Sequence, residues 1–340
     1  MASAKIAPRG CSRPLQRAIA DFSADHPFAQ ARAKLKEHYG FEIGESTIQR
    51  ICLRHARAMF EAGQACASCP ATPGCGDIVA QTDGGMIPVV EPDAHARDKR
   101  KGKALSWREA KISLAHAKGS RTPVYAGSIA GGVEAAGRQL FACAVRAGLG
   151  RDSRVHAVGD GAPWIVGQVE ERFGANGNYL IDFYHVCEYL AAAAKAVAPD
   201  AAAQGAWSEA QRDALKTGHL DRVLAALAPH LEPPGTPDDQ APARRCHRYL
   251  GSRRSQLNYS DALARGLPIG SGEIESAHRY IAQQRLKLPG AWWRAENAEH
   301  MLALRINRKN GDWPAYWAAP PAAKKPANQN RKAQSLKSAA

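Results

Sequence analysis

Apolar residues recur at helical spacing through the first sixty positions, and residues 14–62 read as helical. Pro27 suits the first turn of a helix running through Leu35 to Tyr39. Gly40 to Gly44 make a short turn, and Ser46 or Glu45 is placed to cap the next helix. Ile48, Ile51, Cys52, His55 and Met59 share one face of that helix, while Gln49, Arg50, Arg54 and Arg57 share the other. Beyond residue 76 the pattern changes to short apolar runs. Residues 77–90 predict two strands joined by a turn at Asp83-Gly84-Gly85, because Asp-Gly is a hairpin signal. Residues 91–123 read as a charged connection rich in Lys and Arg, with Trp107 and Ile112 partly buried. Val124 to Ala130 predict a short strand, and 132–149 an Ala-rich helix. Apolar runs then end on Asp160 and on Asp182, each followed by a helix. Strand, helix and strand within about 30 residues argue for a central sheet in an α/β layer. Residues 199–265 carry Ala-Leu helical periodicity and no strand signal. In 286–317 a helix with Ala298, Met301, Leu302 and Ile306 on one side is anchored by Trp313 and Trp317.

Composition narrows the partner. The chain has 340 residues and a net charge of +14, with its cations clustered. Such an excess points to a polyanion, nucleic acid before an anionic membrane surface. No run of about 18 apolar residues exists to span a membrane, and the N-terminus has no apolar signal region. Eight cysteines are too sparse for a disulfide scaffold and fit buried thiols in a reducing cytoplasm.

The candidate chemistry gathers around residues 267–285, LPIGSGEIESAHRYIAQQR. A Gly-Ser loop enters an amphipathic helix that opens with Glu273 and Glu275 and continues with His278, Arg279 and Arg285, ahead of Lys287. Phosphodiester cleavage and transfer need metal ions clamping the attacking and leaving oxygens. Mg2+ takes carboxylates and keeps several waters, so a few acids on strand ends and one helix suffice. Asp83, Asp160 and Glu275 fit that requirement, although a hairpin Asp is ordinarily a turn residue. On a helix Glu273 and Glu275 stand about 200° apart, so only one faces the sheet. Glu275 is expected to do so, with Glu273 turned to solvent or to backbone donors. Cys66 and Cys69 have zinc-knuckle spacing with Cys75 as a third candidate ligand, and otherwise form a cysteine-containing linker. The two N-terminal helices with a basic second helix give a helix-turn-helix signal carried by Arg50, Arg54 and Arg57.

Four segments carry a resemblance: GDGAPWI at 159–165, LIDFYHVCEYL at 180–190, PIGSGEIESAHR at 268–279 and NGDWPAYW at 310–317. In this order they resemble a bacterial insertion-sequence transposase of the ISKra-type group, related to the Mutator-like transposases, over roughly residues 20–317. The resemblance implies an α/β fold, a ribonuclease H-like mixed sheet flanked by helices. It further implies an all-helical insertion before the Glu and a helix-turn-helix-like N-terminal region. The expected divisions are 1–62 for DNA binding, 63–76 as a Cys linker or knuckle, and 77–185 as the first part of the core. The insertion follows at 186–265, the core is completed at 266–317, and 318–340 is a disordered basic tail. The resemblance makes Asp83, Asp160 and Glu275 the catalytic triad holding two Mg2+ or Mn2+ ions. Asp182 and His185 match a D-x-x-H signature near the active site, and are otherwise a strand-end hydrogen-bond pair; His278 is a further supporting residue. Arg279, Arg285 and Lys287 extend the DNA surface. The expected partner is double-stranded DNA, at element ends and target, bound by a homo-oligomer near the nucleoid. The competing readings are a DNA-binding regulator or decayed transposase without catalysis, and a structure-specific nuclease of the same fold.

Overall fold

A computed structural model describes residues 10–63, 67–92 and 102–320. Its centre is a mixed sheet built on β1 (Asp77–Pro92), which pairs antiparallel with β2 (Lys103–Ala117) from Ile78↔Ala117 to Pro92↔Lys103. The strand β3 (Val124–Ser128) extends the antiparallel side. On the other side β4 (Arg154–Gly159) lies parallel to β1, and β5 (Gly177–Ile181) parallel to β4. The order is β3-β2-β1-β4-β5.

Two expectations fail here, for one physical reason. The hairpin at Asp83-Gly84-Gly85 does not form; β1 runs straight through it, and neither glycine has a positive φ. The glycines serve close approach instead. A Cβ on Gly84 would stand 1.9 Å from Glu109 Oε1, and one on Gly85 2.6 Å from His278 Nδ1. The strand partner comes from the supposed charged connection, since β2 occupies 103–117. Its outer half is largely exposed and its inner half buried, so no single alternation runs through it. Arg97, Lys99, Arg100 and Lys101, and the tail beyond 320, lie outside the described residues.

Three helices precede the sheet: α1 (Arg13–Asp25), α2 (Phe28–Tyr39) and α3 (Glu45–Ala62). Pro27 caps α2, and Gly40 ends it in the left-handed region at φ 69°. Gly44, rather than Ser46 or Glu45, is the N-cap of α3. Helices α4 (Gly132–Arg146) and α5 (Pro163–Phe173) follow β3 and β4, and Pro163 opens α5 as expected. From β5 the chain enters α6 (Phe183–Val197), then α7 (Ala201–Lys216), α8 (Leu220–Leu227), α9 (Pro242–Gly251) and α10 (Tyr259–Ala264), with no strand among them. Next come α11 (Gly272–Ala277), a π-helical segment His278–Gln283, and α12 (Gln284–Leu286), continuous along one axis; α13 (Ala295–Lys309) and α14 (Trp313–Ala318) close the chain.

Burial divides between the two faces. Ile78, Ala80, Leu140, Val155, Ile165 and Leu180 pack with Leu190, Leu215 and Leu250 of the helical insertion. Ile87, Ile112, Ala277, Ile281, Met301 and Leu304 form a second core that also takes Cys52, Ala56 and Met59 from α3. The N-terminal helices are thus packed against the elements that carry Glu275. Among the described residues no helix is long and apolar enough to cross a membrane.

Candidate functional site

Parallel register lines up three aspartates. Pairing of β1 with β4 ends at Gln81↔Val158, and that of β4 with β5 at Gly159↔Ile181. Continued by two residues and by one, these registers place Asp83, Asp160 and Asp182 in a row across three strands. Burial pushes the Asp83 carboxyl above the ordinary carboxylate range. The nearby charges of Asp160 and Glu109 push it the same way, while His278 pulls against them. A like charge with that effect places Asp160 within electrostatic reach of Asp83. Asp160 itself is exposed, with Oδ1 accepting from the Ala162 N–H at 2.8 Å.

Asp182 differs from both. Its Oδ1 accepts from the N–H groups of Tyr184 (2.6 Å) and His185 (3.2 Å), capping α6. Its Oδ2 accepts from the Ser271 N–H at 2.6 Å and from the Ser271 hydroxyl. A buried carboxylate so engaged ties β5 and α6 to the residue just before α11. The His185 ring is not its partner; it sits 3.6 Å from Glu188 and edge-on to Tyr189 and Tyr249.

Helix α11 starts over β1, where the Ile274 N–H donates to Gln81 Oε1 at 3.0 Å. Glu273 is exposed, as expected, but also leans toward β2, where it accepts from His116 Nε2 at 3.0 Å. His116 Nδ1 donates to the Ala117 carbonyl at 2.9 Å. With acceptors at both nitrogens the imidazolium fits, and the Glu273 hydrogen bond raises the His116 pKa. Glu275, about 200° further round the helix, is exposed and points away from the Glu273–His116 contact. Among the described residues no three His, Cys, Asp or Glu side chains are drawn together as a preformed metal cluster. Asp83 and Asp160 sit on adjacent strands, and Glu275 does not close a triad with them.

His278 is buried, donating from Nε2 to the Asp83 carbonyl at 3.1 Å, with the Asp83 carboxylate 3.7 Å away. It begins the π-helical segment, a geometry that recurs at functional sites. Buried Arg305 holds that segment, donating to the Ile281 carbonyl at 2.6 Å and to the Tyr280 carbonyl. The same guanidinium reaches the Ala24 carbonyl and, at 2.8 Å, Asp25 of α1. Sequence reasoning missed Glu109 and Lys111, which pair with each other beside Gly84 while Lys111 lies 5.2 Å over the Trp164 ring. Recognising β2 as a strand would have exposed them.

Arg50, Arg54 and Arg57 face solvent while Ile48, Ile51 and Cys52 are buried, as expected. Arg54 donates to Gln16 at 2.7 Å, and Arg57 pairs with Glu61 at 2.9 Å. Arg279 and Lys287 are exposed, Lys287 lying 5.7 Å over Trp107. Arg285 corrects the expected DNA surface: it is 2% exposed. It donates to the Ser23 carbonyl at 3.0 Å between the rings of Phe28 (5.0 Å) and Trp293 (4.7 Å). Burial lowers its pKa to about 10. Of the zinc candidates, Cys66 lies outside the described residues. Cys69 and Cys75 are exposed, their thiols directed at the carbonyls of Pro70 (3.8 Å) and Ala147 (4.0 Å). No protein-family model matches the chain, and no curated protein matches it.

Proposed function

We propose that this chain is a metal-dependent DNA transposase of the DDE class, cleaving strands at insertion-sequence ends and joining them to target DNA. The observation that carries the reading is the Asp83–Asp160 pair just past the point where the parallel pairing of β1 with β4 ends, with α11 starting over β1 beside it. The ribonuclease H-like architecture is part of the proposal. Support comes from a five-stranded mixed sheet, helices on both faces, and a strand-free helical block between β5 and the Glu-bearing helix. The ISKra-type, Mutator-like assignment rests on the four motifs.

The residues fit a divalent cation. Two carboxylates are held close enough for one to raise the proton affinity of the other, and all their donors are oxygens, which Mg2+ and Mn2+ prefer. Asp83 and Asp160 would hold the ions, with Glu275 completing the set from α11. Bound metal would activate the attacking oxygen and stabilise the leaving one. The chain's own work is positional. His278 pins β1 to the helix, Asp182 fixes Ser271 at the helix entrance, and Arg305 keeps the π-helical segment in place. The exposed Arg50, Arg54, Arg57, Arg279 and Lys287 would take DNA phosphates, and a homo-oligomer would pair two ends.

Incubating the protein with duplex carrying the DNA that flanks its coding region tests the reading. Strand nicking should require Mg2+ or Mn2+, disappear with Glu275→Gln and survive Glu273→Gln. DNA binding without nicking in either metal would leave the regulator in place of the enzyme.

A further inference from the structure

The helical insertion meets the acidic pair at one side chain. Tyr249 of α9 donates its hydroxyl to the Asp160 carbonyl at 3.1 Å. Its ring stacks face to face on Tyr189 of α6, with centroids 4.1 Å apart and planes 13° apart. Arg253 lies 4.2 Å over Tyr249, necessarily on the face Tyr189 leaves open, and Arg245 lies 5.9 Å over Tyr189. The result is a stacked tyrosine pair flanked by two guanidiniums, Arg253 over Tyr249 and Arg245 near Tyr189. A cavity of about 210 Å³ opens beside it, lined by His185, Glu188, Tyr189, Ala192, Pro242 and Arg245.

The two cations beside the tyrosines differ from their neighbours in pairing. Nearby Arg244 and Arg248 pair with Asp238, and Arg254 with Asp221. Among the described residues no ion pair to a carboxylate falls on Arg245 or Arg253. Packing α6 on α9 would need the tyrosines but not two cations. A guanidinium over a ring presents its N–H edge to a planar oxyanion; of these two, Arg253 already donates from Nη1 to the Ser252 hydroxyl at 3.1 Å, which orients the remaining N–H groups. Tyr249 fixes the cluster's position relative to the Asp160 backbone.

We propose that the α6–α9 cluster binds backbone phosphates of the DNA strand reaching the acids from the insertion side, Arg245 and Arg253 each taking one phosphate. This rests on the DNA reading above and adds the path the strand follows.

The test is fluorescence anisotropy of a labelled duplex over a salt series, without divalent metal. It compares wild type, Arg245→Ala/Arg253→Ala and Arg245→Lys/Arg253→Lys, with melting curves for each. Each lost phosphate contact lowers the slope of log affinity against log salt by about 0.9. The alanine pair should lose about 1.8 in slope, and the lysine pair should recover most of it because it keeps the charges. An unchanged slope in the alanine pair overturns the cluster as a phosphate site while leaving the DNA reading intact. Equal loss in both pairs, with lowered melting temperatures, makes the cluster a packing device and overturns it too. Wild-type protein that binds no duplex removes the DNA reading and the cluster together.

Discussion

Asp83 holds its proton more tightly in the folded chain than an exposed aspartate does, because burial and the charges of Asp160 and Glu109 oppose its ionisation. The sign of the linkage follows. Folding gives up stability as pH rises from the ordinary Asp pKa of about 3.9 through the raised value. Asp83→Asn should therefore melt higher than wild type at neutral pH, and the two should converge in acid below that range. Melting curves across pH check this, and an Asp83→Asn protein that melts lower at pH 7 would contradict it. His116 gives the same direction of pH dependence from a different cause, since its charged form is the one the fold favours. Its raised pKa gives stability that is complete below about 6.5 and fades as pH climbs through the folded value. His116→Gln should flatten that decline, and Glu273→Gln should do the same by removing the partner. His116 belongs to β2 and Glu273 reaches it from α11, so these changes separate the Glu273 contact from whatever Glu275 contributes.

Helix 272–286 is set by two close fits. The first is Gly85 under the His278 ring. A Gly85→Ala methyl meets a ring locked by its bond to the Asp83 carbonyl, and overpacking of that kind costs about 1–3 kcal/mol. The second is Arg305, which serves carbonyls of the π-helical segment and of α1 together. Arg305→Met should cost about 3 kcal/mol by stranding those carbonyls, while Asp25 keeps its pair with Arg308; it is read as a denaturation midpoint well below wild type. The elements around this helix were unequally readable from sequence. Asp160 and Asp182 end clean apolar runs, so β4, β5 and the helices after them were visible, as was the strand-free block before α11. Strand β2 was hidden because Lys103, Trp107, Arg108 and Glu109 lie on its exposed half, where polar residues look like a linker. Gly84 and Gly85 imitated a turn because a glycine needed for close approach and one needed for a turn have the same letter. Glu109 was lost with its strand. Arg285 was misplaced because a cation on an amphipathic helix ordinarily faces water, and its burial depends on Phe28 and Trp293, distant or untethered in the sequence.

At the scale of the molecule, α3 buries one face against α13 and offers the other to solvent, so cations on α3 and acids on β1 and β4 belong to one packed unit. Replacing Arg50, Arg54 and Arg57 together should weaken duplex binding and reduce its salt slope by about 0.9 per lost contact. An unchanged slope would move the DNA surface to Arg279, Lys287 and the insertion. The central claim is that Asp83 and Asp160 touch the catalytic metal, and ligand softness tests it most directly. Thiolates favour softer cations than Mg2+, which demands oxygen. Cleavage of duplex from the flanks of the coding region should therefore be measured for Asp83→Cys and Asp160→Cys in Mg2+ and in Mn2+. Both variants should be inactive in Mg2+ and recover cleavage in Mn2+, with wild type active in both. Full activity of either variant in Mg2+, or no recovery in Mn2+ by a folded variant that still binds DNA, would contradict the assignment.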